Sequence, residues 1–241
     1  MLIDVFSNKS MRQIYNTDSG FICNIDAPCF MALSTEEKEL VRSSRVQLVF
    51  RKGDVMCKQG AFANNALFLI KGFAKQYIES DSDKNFNLRI LSEGDFIGLS
   101  SVFSSAIFNY SVMALEDCQA IMIESDALTG LATQNGQFAL NLIKRYHEEN
   151  NILYKLLLSS YSRQMNGKMA EKLLYLDEFR SAIPDIFVAL SRRDLAEFTG
   201  VSVESAIKLL KSFEKDGLIN LKGKDIVVSN REKLELISKA G

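Results

Sequence analysis

The pattern of hydrophobic and polar positions changes period along the chain. Val46, Leu48 and Phe50 alternate with Arg45, Gln47 and Arg51. Phe86, Leu88 and Ile90 alternate with Asn85, Asn87 and Arg89, and Val112, Ala114, Ala120 and Met122 continue in the same style. Side chains of a strand point to opposite faces in turn, so this pattern predicts strands with one apolar and one polar face. ALFLIKG (66–72) is a short apolar run that ends at Gly72. Turn chemistry lies between the runs, in KGD (52–54), KQG (58–60), SDSDK (80–84) and SEGD (92–95). Many short strands at regular spacing imply a small barrel or sandwich over about 45–125. Ahead of it, residues 1–30 have no clear periodicity. STEEKELVRS (34–43) reads as a short helix, with Ser34 as N-cap and Glu37 completing a capping box.

From residue 137 the period becomes helical. Phe138, Leu142, Tyr146, Leu153 and Leu156 form one stripe, and Leu140, Ile143, His147, Asn150, Tyr154 and Leu157 form a second. A helix with two stripes buries one against its own domain and the other against something else. The second stripe has the spacing of a coiled-coil seam with polar interruptions, which predicts a dimer helix. The competing reading is a helix buried within one chain.

Beyond it, KMAEKLLYLDEF (168–179) is amphipathic. LSRRDLAEFTG (190–200) has Ser191 as N-cap and stops at Gly200. VSVESAIKLLKSFEKDG (201–217) has Ser202 as N-cap and stops at Gly217. LINLKGKDIVVS then alternates around Lys222-Gly223-Lys224 as a hairpin. Two short helices joined around a glycine and followed by a basic-tipped hairpin are the pattern of a winged helix-turn-helix. The second helix has Ala206, Leu209, Leu210 and Phe213 for its own domain. Val203, Glu204, Ser205 and Lys208 lie in the first turns of the other side, with Lys211 beyond them. Lys222 and Lys224 suit phosphate contact, as do Arg192 and Arg193 at the start of the preceding helix.

Composition narrows the function. The 241 residues are 47% hydrophobic and 24% charged, with a net charge of −1. From residue 161 the net charge is +2, and before it −3, so nucleic-acid binding must come from a local patch. No run of about 18 apolar residues is present, which argues against a membrane span. The start of the chain has no basic and apolar signal pattern, so the protein is expected in the cytoplasm and its four cysteines as thiols or ligands. A single histidine excludes two-histidine metal sites of the HExxH type, and GxSxG, GxGxxG and GxxxxGK[ST] are all absent. The sequence is therefore not read as an enzyme.

LSRRDLAEFTGVSVESAIKLLKSFEKDGLINLKGKDIVV resembles the helix-turn-helix and wing of the Crp/Fnr family of bacterial transcription factors almost position for position. FRKGDVMCKQG, LFLIKG and LSEGDFIG add a weaker resemblance, in the right order and spacing. The resemblance covers about residues 30–241. It implies an α+β chain: an N-terminal β-roll sensor (a double-stranded β-helix, cupin-like jelly roll), a long dimerisation helix, and a C-terminal winged helix-turn-helix. The expected divisions are an N-terminal segment 1–30, a roll 31–135, a dimer helix 136–162 and a DNA-binding domain 163–241. The resemblance further implies a homodimer on a palindromic duplex, with RNA polymerase as a further candidate partner. Ser191 and Arg192 match phosphate-contacting positions. Glu204 matches an acid that reads a base, most naturally a cytosine amine. Lys208 stands where a guanine-reading Arg is usual, and lysine lacks the bidentate fork. Val203 stands at another common Arg position and suits a thymine methyl.

The resemblance also bears on the effector. Leu99 occupies the family's position for the acid that holds a ribose hydroxyl, and Asn109 the position of the Arg that holds the cyclic phosphate. A phosphodiester in a barrel without a cation is uncompensated, which argues against cyclic AMP. Gly98, Leu99, Ser100, Ser101, Asn109, Tyr110 and Ser111 are then candidates to line a pocket for a neutral ligand, or to fill a vestigial roll. Cys23 and Cys29 look like part of the iron–sulfur motif of the oxygen-sensing branch, which needs four thiolates. Gly20 stands where that motif has another Cys, and Cys118 lies three residues from the expected place of the last. His147 is a candidate haem ligand or a seam residue. Cys57 and Cys118 read as small apolar strand residues. The alternatives are a cyclic-nucleotide-binding-like module acting on a partner protein, or a haem or iron–sulfur redox sensor.

Overall fold

The computed structural model describes residues 12–14, 30–43, 45–80, 84–104 and 107–240. In chain order its elements begin with β1 (Arg12–Ile14), α1 (Thr35–Ser43), β2 (Arg45–Phe50), β3 (Val55–Cys57), β4 (Asn65–Lys71), β5 (Ala74–Ile78) and β6 (Phe86–Leu91). Then come β7 (Phe96–Ile97), α2 (Leu99–Val102), β8 (Ser111–Ala114), β9 (Cys118–Glu124), α3 (Ser125–Gln134) and α4 (Gly136–Ser162). The chain closes with α5 (Met165–Glu178), α6 (Ile186–Ala189), α7 (Arg192–Thr199), α8 (Val203–Lys215), β10 (Ile219–Lys222), β11 (Asp225–Val228) and α9 (Arg231–Ala240). It divides into two compact units, residues 1–79 with 89–152 and residues 80–88 with 153–241.

The first unit is built on two antiparallel sheets, ordered β1-β2-β9-β4-β7 and β3-β8-β5-β6. Leu67 and Leu69 of β4 join Phe50, Ile97, Val112 and Ala120 in a cluster that draws on both sheets. The alternate residues Ala66, Phe68 and Ile70 belong to a second cluster with Phe30, Leu128, Phe138 and Leu142. The helices therefore cover the other face of β4, and its continuous apolar run follows from burial on both sides. Phe30 binds this layer together, edge-on to Phe68 at 5.3 Å between centroids and 6.1 Å from Phe138. The Ser34 capping box forms as its sequence predicts: Ser34 N–H donates to Glu37 Oε2 at 2.7 Å, and Glu37 N–H donates to Ser34 Oγ at 3.2 Å.

The alternation misplaces three polar side chains. Gln47 of β2, and Asn87 and Arg89 of β6, stand at positions that read as polar, yet each is buried. For Arg89 the reason is that the turn after β6 and α4 each bring a carboxylate to it, Asp95 and Glu149. The segment 1–30, without visible period, contributes the edge strand β1, whose Gln13 is in register with Leu48. A three-residue strand is too short to show a period. The SDSDK turn falls partly, and Cys23 and Cys29 wholly, outside the described residues.

In the second unit α5 packs on α7 and α9, and β10 and β11 form a hairpin. Helix α9 is absent from the sequence reading, although Asn230 caps it by accepting the Lys233 N–H at 3.0 Å. No helix among the described residues is long and apolar enough to cross a membrane. Phe138 is wholly buried, so Phe138→Ala is expected to lower stability by about 3–5 kcal/mol. Urea unfolding followed by tyrosine fluorescence measures it; a loss below about 1 kcal/mol would mean that α4 is not part of this core.

Candidate functional site

The helix pair of the second unit is fixed by its caps. Ser191 Oγ accepts the Asp194 N–H at 3.1 Å while Asp194 Oδ2 accepts the Ser191 N–H at 2.7 Å, a reciprocal box at the start of α7. Gly200 ends α7 in the left-handed region, φ 68°, where a side chain would be strained. Ser202 Oγ accepts the Ser205 N–H at 3.1 Å and starts α8 three residues after that glycine. Ala206, Leu210 and Phe213 are buried, so the helix has one inward face. Its outward face carries Val203, Glu204, Lys208 and Lys211 as the sequence places them. It also carries Ile207, 37% exposed, which the sequence reading passed over. A spacing of four from Val203 is the signal that finds it. Glu204 and Lys208 form an ion pair at 2.7 Å, both well exposed. Such i,i+4 pairs contribute about 0.3–0.5 kcal/mol, so either side chain is easily released to another partner.

The hairpin is tied to the helices at three points. Arg192 Nη2 donates to the Gly223 carbonyl at the tip, at 2.9 Å. Glu214 Oε1, from α8, accepts the Leu221 N–H at 2.9 Å. Arg180 donates to Asp225 Oδ1 at 2.9 Å and to the Ile226 carbonyl at the start of β11, and its guanidinium lies 5.1 Å from the Phe187 ring centroid. These hydrogen bonds draw Arg180 upward in pKa and hold Asp225 below its ordinary range. Lys222 and Lys224 stay exposed beside Gly223. Arg192 is more than a surface cation. Partial burial lowers its pKa, and its Nη1 is buried with no hydrogen-bond partner among the described residues. An anionic oxygen would satisfy that nitrogen. Arg193 is paired with Glu197 at 2.9 Å.

The roll does not gather the candidate effector residues around one empty cavity. Gly98, φ 81°, precedes α2, and its N–H donates to the Tyr110 hydroxyl at 2.8 Å. A Cβ at Gly98 would meet Phe108 Cε1 at 2.5 Å, so the approach is close. Leu99 is buried in the outer cluster, and Ser101 Oγ donates to the Ile107 carbonyl at 2.9 Å. Ser111 joins another group, donating to Glu79 Oε1 at 2.5 Å and accepting the Gln59 N–H at 2.8 Å. Asn109 is exposed. Ser100 borders an apolar hollow of about 430 Å³ together with Leu99, Phe103, Leu142, Ile143 and Tyr146.

The expectation of a barrel without a cation needs correction, because Arg89 and Lys75 are both buried in this unit. Arg89 is satisfied three ways. Its Nε donates to Gln76 Oε1 at 2.8 Å, Nη1 to Asp95 Oδ1 at 3.3 Å and Nη2 to Glu149 Oε1 at 3.1 Å. Arg145, one helical repeat from Glu149 on α4, donates to Asp95 Oδ1 at 2.8 Å and to the Gly94 carbonyl at 2.7 Å. Burial raises the pKa of Glu149 despite Arg89 beside it. The sequence gives no sign of this group, since its members lie on β5, β6, the turn after β6 and α4.

Of the metal candidates Cys23, Cys29 and His147, the two cysteines lie outside the described residues. His147 is exposed on α4 with Nε2 3.0 Å from Asn151 Nδ2. Cys57 and Cys118 are buried, as their strand positions predict. Desolvation pushes both thiols up, Cys118 to about 12. Among the described residues no three His, Cys, Asp or Glu side chains are grouped to hold a metal ion.

Comparison with known proteins divides along the same lines. Residues 47–135 match the cyclic nucleotide-binding domain family, and residues 167–237 match the Crp-like helix-turn-helix domain. The chain is 25% identical to the cAMP-activated global transcriptional regulator CRP of Pasteurella multocida, over 70% of this chain and 83% of that one. It is 23% identical to the CRP-like cAMP-activated regulator of Mycobacterium tuberculosis, over 77% and 84%. In fold it is similar to FixK2 of Bradyrhizobium japonicum, at a TM-score of 0.72, 20% identity and coverage of 82% of this chain and 98% of that one. It is also similar to the c-di-GMP-responsive regulator CLP of Xanthomonas campestris, at 0.68, 18% identity and coverage of 81% and 99%.

The Arg180–Asp225 tie makes the hairpin unit acid-sensitive. Asp225 has a folded pKa below its unfolded one, so its stabilisation is present above the unfolded value and is lost as pH falls through the folded one. Asp225→Asn is expected to melt lower than wild type at neutral pH and to show a shallower decline on the acid side. Parallel curves across that range would show that the tie stabilises nothing.

Proposed function

Since the chain belongs to the Crp/Fnr family of transcription regulators, a non-enzymatic family with a cyclic nucleotide-binding domain and a Crp-like helix-turn-helix, we propose that it acts in the cytoplasm as a homodimer reading a twofold-symmetric DNA site. The observation that carries this reading is the outward face of α8. It begins at a capped helix N-terminus, carries side chains of hydrogen-bonding and apolar type in its first two turns, and lies next to a tethered wing with two lysines at its tip.

In this reading Lys222, Lys224 and Arg192 meet phosphates, joined by Arg193, Lys211 and the hydroxyls of Ser191, Ser202 and Ser205. Glu204 accepts from a cytosine amine and Lys208 donates to guanine as a single point, after their mutual pair opens. Val203 and Ile207 supply apolar surface for thymine methyls. The operator therefore departs from one read by two arginines.

The second subunit is needed because α4 leaves apolar surface uncovered. Leu140, Ile143, Tyr154 and Leu157 are each more than half exposed, and a row of that kind calls for a partner. Ile143 and Tyr146 also border the apolar hollow, which makes the hollow continuous with this row. A second copy packed along α4 covers both, and half-sites are then spaced about 34 Å apart. Cyclic AMP is not the effector in this reading. The Gly98 N–H at the start of α2 already bonds Tyr110, and the positions of the acid and the cation hold Leu99 and Asn109.

Selection from a randomised duplex library is expected to return a palindrome with half-sites one helical turn apart, bound by a dimer in light scattering. Glu204→Ala should relax one base pair per half-site by about 1–3 kcal/mol. Lys222→Ala with Lys224→Ala should weaken all sequences alike and flatten the salt dependence of binding. A monomer, or a library with no enriched sequence, would contradict the proposal.

A further inference from the structure

The ionic group around Arg89 is unused by any DNA contact, yet it occupies the interior of the first unit and reaches α4. The face of α4 toward the roll starts apolar, with Phe138 and Leu142, and continues as Arg145 and Glu149. These positions are i, i+4, i+7 and i+11, one stripe of a helix. The helix is thus held twice by the same face, once by packing and once by charge. Arg89 is the centre of the second hold. Its three nitrogens each have a different acceptor, drawn from β5, from the turn after β6 and from α4. Asp95 is shared between Arg89 and Arg145, and its other oxygen accepts the Ser92 N–H at 2.8 Å, which fixes the turn that leads to Gly98.

We infer that Arg89 is a positioning residue for DNA binding: through Asp95 and Glu149 it holds α4 on the roll from inside, so the protein binds its operator without a small molecule in the roll. This rests on the DNA-binding reading above. Three observations bear on it. The group is filled, with every Arg89 nitrogen bonded, so it is not a vacancy awaiting an anion. The Gly98 N–H is likewise filled, by Tyr110. Removal of Arg89 leaves Asp95 and Glu149 buried without their shared cation, which is the costly way to break a buried pair.

A pH dependence follows from the same geometry. Glu149 faces Arg89 from β6, Asp95 from the turn after it, Tyr110 from the residue before β8, and Arg145 and Glu148 from its own helix. With these neighbours, and burial as the largest influence, Glu149 binds its proton more tightly in the docked arrangement than in water. Acid therefore favours docking of α4, and docking weakens as pH rises through the raised pKa of Glu149.

The test measures affinity of the full-length protein for its selected operator, without added ligand, by fluorescence anisotropy across mildly acidic to mildly alkaline pH. Wild type should bind, with affinity falling as pH rises. Arg89→Gln should bind about tenfold more weakly. Arg89→Lys, which keeps the charge without the three-way fork, should fall between them and serves if Arg89→Gln does not fold. Glu149→Gln should keep its affinity and lose the pH dependence that Glu149 supplies. Combining Arg89→Leu with Glu149→Leu should recover most of the affinity lost by Arg89→Leu alone. Arg89→Gln and Arg89→Lys that bind like wild type, or wild-type binding that appears only on addition of cyclic AMP, would overturn the inference while leaving the DNA-binding reading intact. A wild-type protein for which no operator can be selected would sink both.

Discussion

A guanidinium in the interior of a β-roll has to be satisfied on every side. Arg89 is 9% exposed, and a charge so placed is tolerated only with close opposite charge and hydrogen bonds. The acceptors it finds determine much of the first unit. Gln76 ties it to β5, Asp95 to the turn that sets up Gly98 and α2, and Glu149 to α4. Arg145 doubles the last connection through Asp95 and the Gly94 carbonyl. Phe138 and Leu142 bury the first turns of α4 in the outer cluster, while the ionic group specifies where along its length the helix docks. A helix sliding by one turn would keep some apolar contact and would lose every charged one.

The second unit solves a different problem, which is to present side chains outward on a short helix and a two-stranded hairpin. Two strands alone are only marginally stable. The hairpin is steadied by Arg192 at the tip, Glu214 along β10 and Arg180 at the start of β11, from three different elements. Two of these are cations whose charge would also favour nucleic acid, and one Arg192 nitrogen has no partner among the described residues. The residues that hold the wing and those proposed to meet phosphate thus overlap in Arg192. Glu204 and Lys208, by contrast, pair with each other on an exposed surface, so recognition there need not disturb the fold.

Local signals made the second unit legible in the sequence. Ser191, Gly200, Ser202, Gly217 and Lys222-Gly223-Lys224 each act within a few residues, and the caps and turns they predict are present. The capping box at Ser34 was legible for the same reason. Arg89 was not. Its alternation with Leu88 and Ile90 describes the two faces of β6 correctly, but periodicity cannot tell which face another element will cover. The cover comes from α4, 60 residues on in the chain. Gln47 misled in the same way, and β1 was too short to carry a pattern. The candidate effector residues were adjacent in sequence, yet they separate into the core at Leu99, the Glu79 group at Ser111 and the surface at Asn109. Tyr110 was on that list, but as a possible ligand contact. Its hydroxyl instead takes the Gly98 N–H.

The central claim is that the roll is already filled by its own side chains, and calorimetric titration of cyclic AMP into the purified protein tests it most directly. The account predicts no saturable heat at millimolar nucleotide and no rise in melting temperature in a parallel scan, because Tyr110 and the Arg89 group would have to be displaced first. Saturable binding at micromolar nucleotide, with one molecule per subunit and a raised melting temperature, would contradict it.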